Sequence, residues 1–148
     1  DLLDLTGTTA ANILNGGNNA DTILGGAGGD ELRGGKGLDS IVGGAGDDTI
    51  FSGLGKDTLT GGDGADIFVL RGFDARYPGA VLEPTVTDFE TGVDQIAIQG
   101  VSEAEIAAAL LEQETVDGNV QFTIVGATVT VMGVSSLTTD NVIVADFV

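Results

Sequence analysis

The 148-residue chain contains no cysteine, no histidine and no tryptophan. Without cysteine there are no disulfides, no thiolate metal sites and no thiol nucleophile, and without histidine there is no imidazole acid–base chemistry. Positive charge is scarce: five Lys and Arg stand against 23 Asp and Glu, a formal charge of −18. Nucleic acid is excluded as a partner, because phosphate binding needs clustered positive charge. No window approaches the ~18 continuous apolar residues of a transmembrane helix, and no apolar stretch of the signal-peptide kind opens the chain. The first residue is Asp1 rather than Met, so the chain is expected to be cut from a longer parent. Self-repulsion at this charge opposes compaction unless cations neutralise it.

What the chain has in excess is glycine, 25 residues, and glycine comes at a fixed phase. Six nine-residue units run without a gap from Gly16 to Val69: GGNNADTIL, GGAGGDELR, GGKGLDSIV, GGAGDDTIF, SGLGKDTLT and GGDGADIFV. A degenerate unit, GTTAANILN, precedes them at 7–15. The template is G-G-x-G-x-D-x-U-x, with U a large apolar residue. Asp holds position six in all six units, and position eight reads Ile23, Leu32, Ile41, Ile50, Leu59 and Phe68. Such periodicity is the mark of a repeat architecture. A flexible Gly-rich linker would not keep Asp and an aliphatic in register.

Each position has a physical task. Small residues at positions one to four suit a tight turn that tolerates positive φ. Asp at six sets a carboxylate beside the turn carbonyls. Positions six to nine are expected as a short strand with position eight facing inward. Two units make a coil of eighteen residues, so each unit stacks on the next but one. Carbonyls and carboxylates of stacked turns then converge on a cation taking six to eight oxygens, which describes Ca²⁺ better than Mg²⁺.

These units resemble the RTX (repeat-in-toxin) nonapeptide family across 16–69. The resemblance implies an all-β fold, a right-handed parallel β-roll with Ca²⁺ between successive turns on each edge. It also implies the ligands: positions two, four and six of one turn and one, three and six of the next on the same side. On one edge Gly17, Asn19 and Asp21 would face Gly34, Lys36 and Asp39, and Gly35, Gly37 and Asp39 would face Ser52, Leu54 and Asp57. On the other, Gly26, Gly28 and Asp30 would face Gly43, Ala45 and Asp48, and Gly44, Gly46 and Asp48 would face Gly61, Asp63 and Asp66. Lys36, Leu54 and Ser52 would contribute only main-chain carbonyls. Asp39 and Asp48 would each bridge two ions. Four complete sites result, bringing the formal charge from −18 to −10.

Partial sites at the ends raise the expected total to about seven. Thr8, Ala10 and Asn12 are set to face Gly25, Ala27 and Asp30, with no charge from Asn12. Beyond the last repeats, Gly53, Gly55 and Asp57, and likewise Gly62, Gly64 and Asp66, lack a following unit. The resemblance supplies a closing carboxylate from the segment Asp88–Asp94, Asp88 first and Asp94 second.

The chain is expected to divide into a lead-in at 1–15, the roll at 16–69 and a β-rich cap with one short helix at 70–148. Residues 71–84 hold both prolines and the single tyrosine and are expected as an irregular surface loop. Thr85–Gly100 alternates like strands, with Val86, Ile96 and Ile98 inward. Ser102-Glu103-Ala104-Glu105 is a capping box opening a helix to about Glu114 with Ile106, Ala109 and Leu110 on its inner face. Val120–Val125 and Thr128–Val134 form a hairpin across Gly126-Ala127, and Val142–Val144 is a last strand. The cap is expected over the apolar outward residues Phe51, Ile67 and Val69. Asp146-Phe147-Val148 looks like the ending of the uncleaved C-terminal signal that type I secretion reads in this family.

The function this implies is a calcium-binding module of a secreted, extracellular protein. It would pass a type I secretion machinery unfolded, fold on meeting Ca²⁺ and stabilise the parent. The alternative is a calcium-dependent adhesin, surface-layer or polysaccharide-binding accessory module. Catalysis is not expected in the chain itself, since the regular carboxylates are committed to the cation.

Overall fold

A computed structural model describes residues 4–72 and 76–145. The ending Asp146-Phe147-Val148 lies outside the described residues. From the N-terminal end, strands β1 (Asp4–Thr6), β2 (Ile13–Asn18), β3 (Thr22–Ala27), β4 (Glu31–Gly37), β5 (Ser40–Ala45), β6 (Thr49–Gly55), β7 (Thr58–Asp63) and β8 (Ile67–Arg71) alternate between two sheets. Within these eight, each pairing is parallel, joins a strand to the next but one and sets partners eighteen residues apart, as in Ile23 with Ile41 and Leu32 with Ile50. The degenerate unit is part of this stack, for β1 pairs with β3 and β2 with β4.

The core is the ladder of position-eight side chains. Ile23, Ile41 and Leu59 rise in one sheet and Leu32, Ile50 and Phe68 in the other, all fully buried. Burial of each is worth about 1.5–3 kcal/mol. The strands begin at position seven and run through position three of the next unit, rather than occupying six to nine. Position six stands just outside the strand. Position one points inward with position eight, which is why Gly34, Gly43 and Gly61 are buried. The glycines of positions one to three have little intrinsic strand preference, and the stacked neighbouring coil imposes it.

Past β8 the chain continues the solenoid before closing it. β9 (Thr85–Val86) stacks on β7, and β10 (Gln95–Gln99) stacks on β8. Val86, Ile96 and Ile98 are fully buried and prolong the two ladders. Helix α1 (Glu103–Leu111) opens with Ser102 as N-cap in a complete capping box with Glu105, and buries Ile106, Ala109 and Leu110. It ends before Glu114, because Glu114 starts another strand. β11 (Glu114–Val116), β12 (Asn119–Ile124) and β13 (Ala127–Val131) form an antiparallel meander whose last member joins β9. The β12–β13 turn is Val125-Gly126, both with positive φ (41° and 79°), one residue earlier than expected. β14 (Val142–Val144) adds to β10 and ends the other sheet.

The cap therefore grows on the end of the stack instead of lying across its outer face. Val69 is covered by Ala97 and Ala145, while Phe51 and Ile67 pack against that cluster and stay half-buried. The loop 71–84 is not wholly a surface connection. Leu82 is buried and bridges to Gly55, and Pro84 is buried too.

Candidate metal centre

The turns between strands form the two edges of the roll. Residues at positions two and four adopt positive φ, as at Gly35 (102°) and Gly37 (156°), and Asn19 does so at 83° in place of glycine. Coils also approach too closely there for side chains. A Cβ on Gly34 would lie 2.6 Å from Asp39 Oδ2 and 2.6 Å from the Ser52 carbonyl oxygen. The space that a methyl would fill at position one is thus bounded by the carboxylate of its own unit and a carbonyl of the coil above.

The aspartates of position six form two hydrogen-bonded ladders. On one edge the Asp21 N–H donates to Asp39 Oδ1 (2.9 Å) and the Asp39 N–H to Asp57 Oδ1 (3.0 Å). On the other, the N–H groups of Asn12, Asp30, Asp48 and Asp66 donate to Oδ1 of Asp30, Asp48, Asp66 and Asp94 at 2.7–3.0 Å. All six repeat aspartates are buried. In each of them Oδ2 is buried and has no hydrogen-bond partner. Buried polar atoms are almost always paired, and a buried charge without a partner is costly. Six such atoms at equivalent places are a feature of the repeat, and a cation is the partner that suits them.

Electrostatics points the same way. Burial pushes the Asp57 carboxyl up to about 7 and the Asp66 carboxyl up to about 6, with repulsion from neighbouring carboxylates adding to it. Asp39 and Asp48 are raised by the same causes, partly offset by the N–H each accepts. Among the described residues no three acidic side chains gather as a metal cluster. A cation on these edges would be held by a pair of stacked carboxylates and main-chain carbonyls, the oxygen-rich set that Ca²⁺ takes. The position-three carbonyls of Ala45 and Asp63 accept N–H groups from Gly28 and Gly46 (2.7 Å each), which leaves each oxygen a second lone pair.

The two edges end differently. Asp94 stands at the position-six place of the next coil, accepting from Asp66 N–H on Oδ1 and from Glu90 N–H (2.8 Å) on Oδ2. Asp88 stands above position one and accepts from the N–H groups of Gly61 and Gly62, 2.9 Å each. Both closing carboxylates lie over the Asp66 edge, and the buried Asp94, not the exposed Asp88, continues the ladder. Asp66 to Asp94 spans 28 residues, a step that the nine-residue template does not reach across. Over Asp57 the next coil offers Leu82, Glu83 and Pro84: the Glu83 N–H donates to the Gly55 carbonyl and the Thr85 N–H to that of Asp57. No carboxylate stands at the position-six place there. Pro84 brings neither a carboxylate nor an N–H to that place. At the opposite end Asn12 occupies the position-six place, but its Oδ1 accepts from Thr8 N–H at 2.6 Å.

The sequence profile of the RTX calcium-binding nonapeptide repeat (four copies) matches residues 4–32, 25–59 and 33–68. No curated protein matches the chain. Among solved structures it is similar to the AlgE6R2 subunit of the Azotobacter vinelandii mannuronan C5-epimerase, with 24% identity and a TM-score of 0.53 over 93% of this chain and 90% of that one. It is also similar to the extracellular lipase LipA from Serratia marcescens, with 14% identity and a TM-score of 0.48 over 98% of this chain. The chain spans 40% of the lipase's length. The likeness to the epimerase subunit is one of fold, a β-roll.

Proposed function

We propose that the chain, whose residues 4–68 match the RTX calcium-binding nonapeptide repeat, is the calcium-triggered folding module of an extracellular protein exported by a type I secretion system. The observation that carries this reading is the double ladder of buried aspartates with unpartnered Oδ2 atoms. The repeats are of the calcium-binding kind, and in this reading their role is structural rather than catalytic. In this reading the four central sites are those between Asp21 and Asp39, Asp39 and Asp57, Asp30 and Asp48, and Asp48 and Asp66. Each is completed by carbonyls at positions two and four below and one and three above. Gly62, Gly64 and Asp66 with Asp88 and Asp94 make a further site at the end of one edge. Residues 1–15 are the lead-in, 16–69 the roll and 70–148 the cap.

Bound Ca²⁺ supplies the positive charge that the buried carboxylates lack and ties each coil to the next. Where Ca²⁺ is scarce the carboxylates repel and the chain stays unfolded, as export requires. Where Ca²⁺ is abundant its binding free energy becomes folding free energy, and a parent joined to the roll is stabilised with it. Sharing of Asp39 and Asp48 between neighbouring sites makes the transition cooperative.

Far-UV circular dichroism of metal-stripped protein during a Ca²⁺ titration, repeated with Mg²⁺, tests the reading. A cooperative gain of β signal with Ca²⁺ and not with Mg²⁺ is expected. A folded spectrum without metal that Ca²⁺ leaves unchanged would overturn it.

A further inference from the structure

Position one of the repeat has little room for a side chain. At Gly16 a Cβ would lie 2.6 Å from Asp21 Oδ2 and 2.7 Å from the Gly34 carbonyl oxygen. The residue before it, at position nine, therefore precedes an enforced glycine. Position nine reads Leu24, Arg33, Val42, Phe51, Thr60 and Val69 in the six full units, but Asn15 in the degenerate one. Asn15-Gly16 is the only Asn-Gly pair in the sequence. The other five asparagines, Asn12, Asn18, Asn19, Asn119 and Asn141, precede residues that carry a Cβ.

An Asn-Gly pair is open to attack by the glycine nitrogen on the asparagine side-chain amide. That nitrogen is unhindered, and glycine reaches backbone conformations that other residues resist. Ring closure needs the nitrogen nearly eclipsed with the asparagine Cβ. Asn15 lies within β2, in register with Arg33, with its side chain exposed on the outer face. A parallel strand holds ψ near about +115°, which turns the next nitrogen well away from Cβ. The ladder holds position-one nitrogens as well: the equivalent Gly7 N–H donates to the Leu24 carbonyl of the coil above (2.6 Å). This first coil is nevertheless weakly held. Among the described residues β2 ends its sheet and pairs with β4 alone. Ile13 is 76% exposed, and Leu14 is half-buried where Ile23 to Phe68 of the same ladder are fully buried. Its opening is a local event that leaves the rest of the stack closed.

We propose that Asn15 is a modification site gated by folding: it deamidates while the first coil is open, and stacking on β4 prevents the reaction. The Gly16 nitrogen gives up its proton and bonds to Asn15 Cγ, and the side-chain nitrogen takes up a proton and leaves as ammonia. Water then cleaves the cyclic imide. Cleavage at Cγ restores the main chain and leaves an aspartate, whereas cleavage at the main-chain carbonyl carries the backbone through the side chain as isoaspartate. The two products differ in consequence. An aspartate at this place stands beside Arg33 in the neighbouring strand. Isoaspartate lengthens β2 by a methylene and shifts Gly17 and Asn18 out of register with Gly35 and Lys36. A chain left open therefore loses its first coil, and with it the proposed site between Asp21 and Asp39. The inference rests on the calcium reading only for what closes the coil.

The test is peptide mapping by mass spectrometry of the chain aged at mildly alkaline pH, metal-stripped, saturated with Ca²⁺, or unfolded in urea. Circular dichroism of each sample reports separately whether it is folded. Asn15 should deamidate in every unfolded sample, ahead of the other asparagines, and roughly tenfold or more slowly in every folded one. A roll that folds without metal would defeat the calcium reading and still show Asn15 spared. Equal loss of Asn15 in folded and unfolded protein, or faster loss of another asparagine in urea, would overturn the inference. The aged forms, separated and refolded in Ca²⁺, supply the second check. The isoaspartate form should melt at a lower temperature than unmodified protein, while Asn15→Asp melts close to it. An isoaspartate form as stable as Asn15→Asp would overturn the assigned loss of the first coil.

Discussion

At the scale of single residues, aspartates of one sequence position differ by their place in the ladder. Asp39 and Asp48 have an aspartate both below and above, while among the described residues Asp21 has one above. Asp48→Asn keeps an oxygen for the Asp30 N–H but removes a charge shared by two proposed sites. It should raise the Ca²⁺ midpoint for folding by roughly an order of magnitude, and Asp21→Asn by clearly less, since ligand charge sets Ca²⁺ affinity. Equal effects in a circular dichroism titration would contradict the shared-ligand arrangement. The same carboxylates set a pH dependence. Asp57 and Asp66, raised to about 7 and about 6 in the metal-free fold, bind protons there that the unfolded chain has released above its ordinary value near 3.8. Native protein then holds more protons than unfolded protein between pH 4 and 7, so metal-free stability rises as pH falls through that window. Metal-stripped protein, unfolded at pH 8, should gain β signal in circular dichroism as pH falls to 5, while Ca²⁺ binds more weakly at pH 5. More metal-free β signal at pH 8 than at pH 5 would reverse the sign and contradict burial as the cause.

At the scale of elements, the repeat made the ladder, the core and the edges legible, because position six and position eight never change character over six units. The strand limits were not legible. Glycine-rich positions one to three read as turn, yet Gly16–Asn18 and Gly34–Gly37 are strand because the coils above and below hold them there. Nor did the closing of the roll follow from the template. The 28-residue step to Asp94 and the placement of Pro84 over Asp57 depend on how the chain after Arg71 returns to the stack. The hairpins show the same limit. Asp117-Gly118 is a turn with two positive φ values (52° and 81°), of the kind D-G sequences favour, and it opens a strand at Glu114 where helix was expected. Val125 takes φ 41° in the next hairpin although β-branched residues resist that region. Val125→Asn should therefore raise stability by about 1 kcal/mol, measured as a higher melting temperature in Ca²⁺. A lower one would mean that the exposed valine side chain contributes contacts outweighing its backbone cost.

At the scale of the whole molecule, the roll is a stack in which each coil touches only its neighbours, held by an apolar ladder inside and carboxylate ladders at both edges. The edges are of unequal length. Asp21, Asp39 and Asp57 stand on one, and Asp30, Asp48, Asp66 and Asp94 on the other, with Asn12 below them. Closure on the Pro84 side lets the cap begin earlier on one sheet than on the other, and the antiparallel meander finishes that sheet. The repulsion implied by a charge of −18 is thus greatest where, in the proposed reading, a divalent cation would relieve it and tie the stability of the stack to its own concentration. The most direct test is long-wavelength anomalous diffraction from crystals grown in Ca²⁺. The account predicts calcium peaks between Asp21 and Asp39, Asp39 and Asp57, Asp30 and Asp48, and Asp48 and Asp66, with a further peak between Asp66 and Asp94 and none between Asp57 and Pro84. A folded roll with no anomalous density beside the Oδ2 atoms would contradict it.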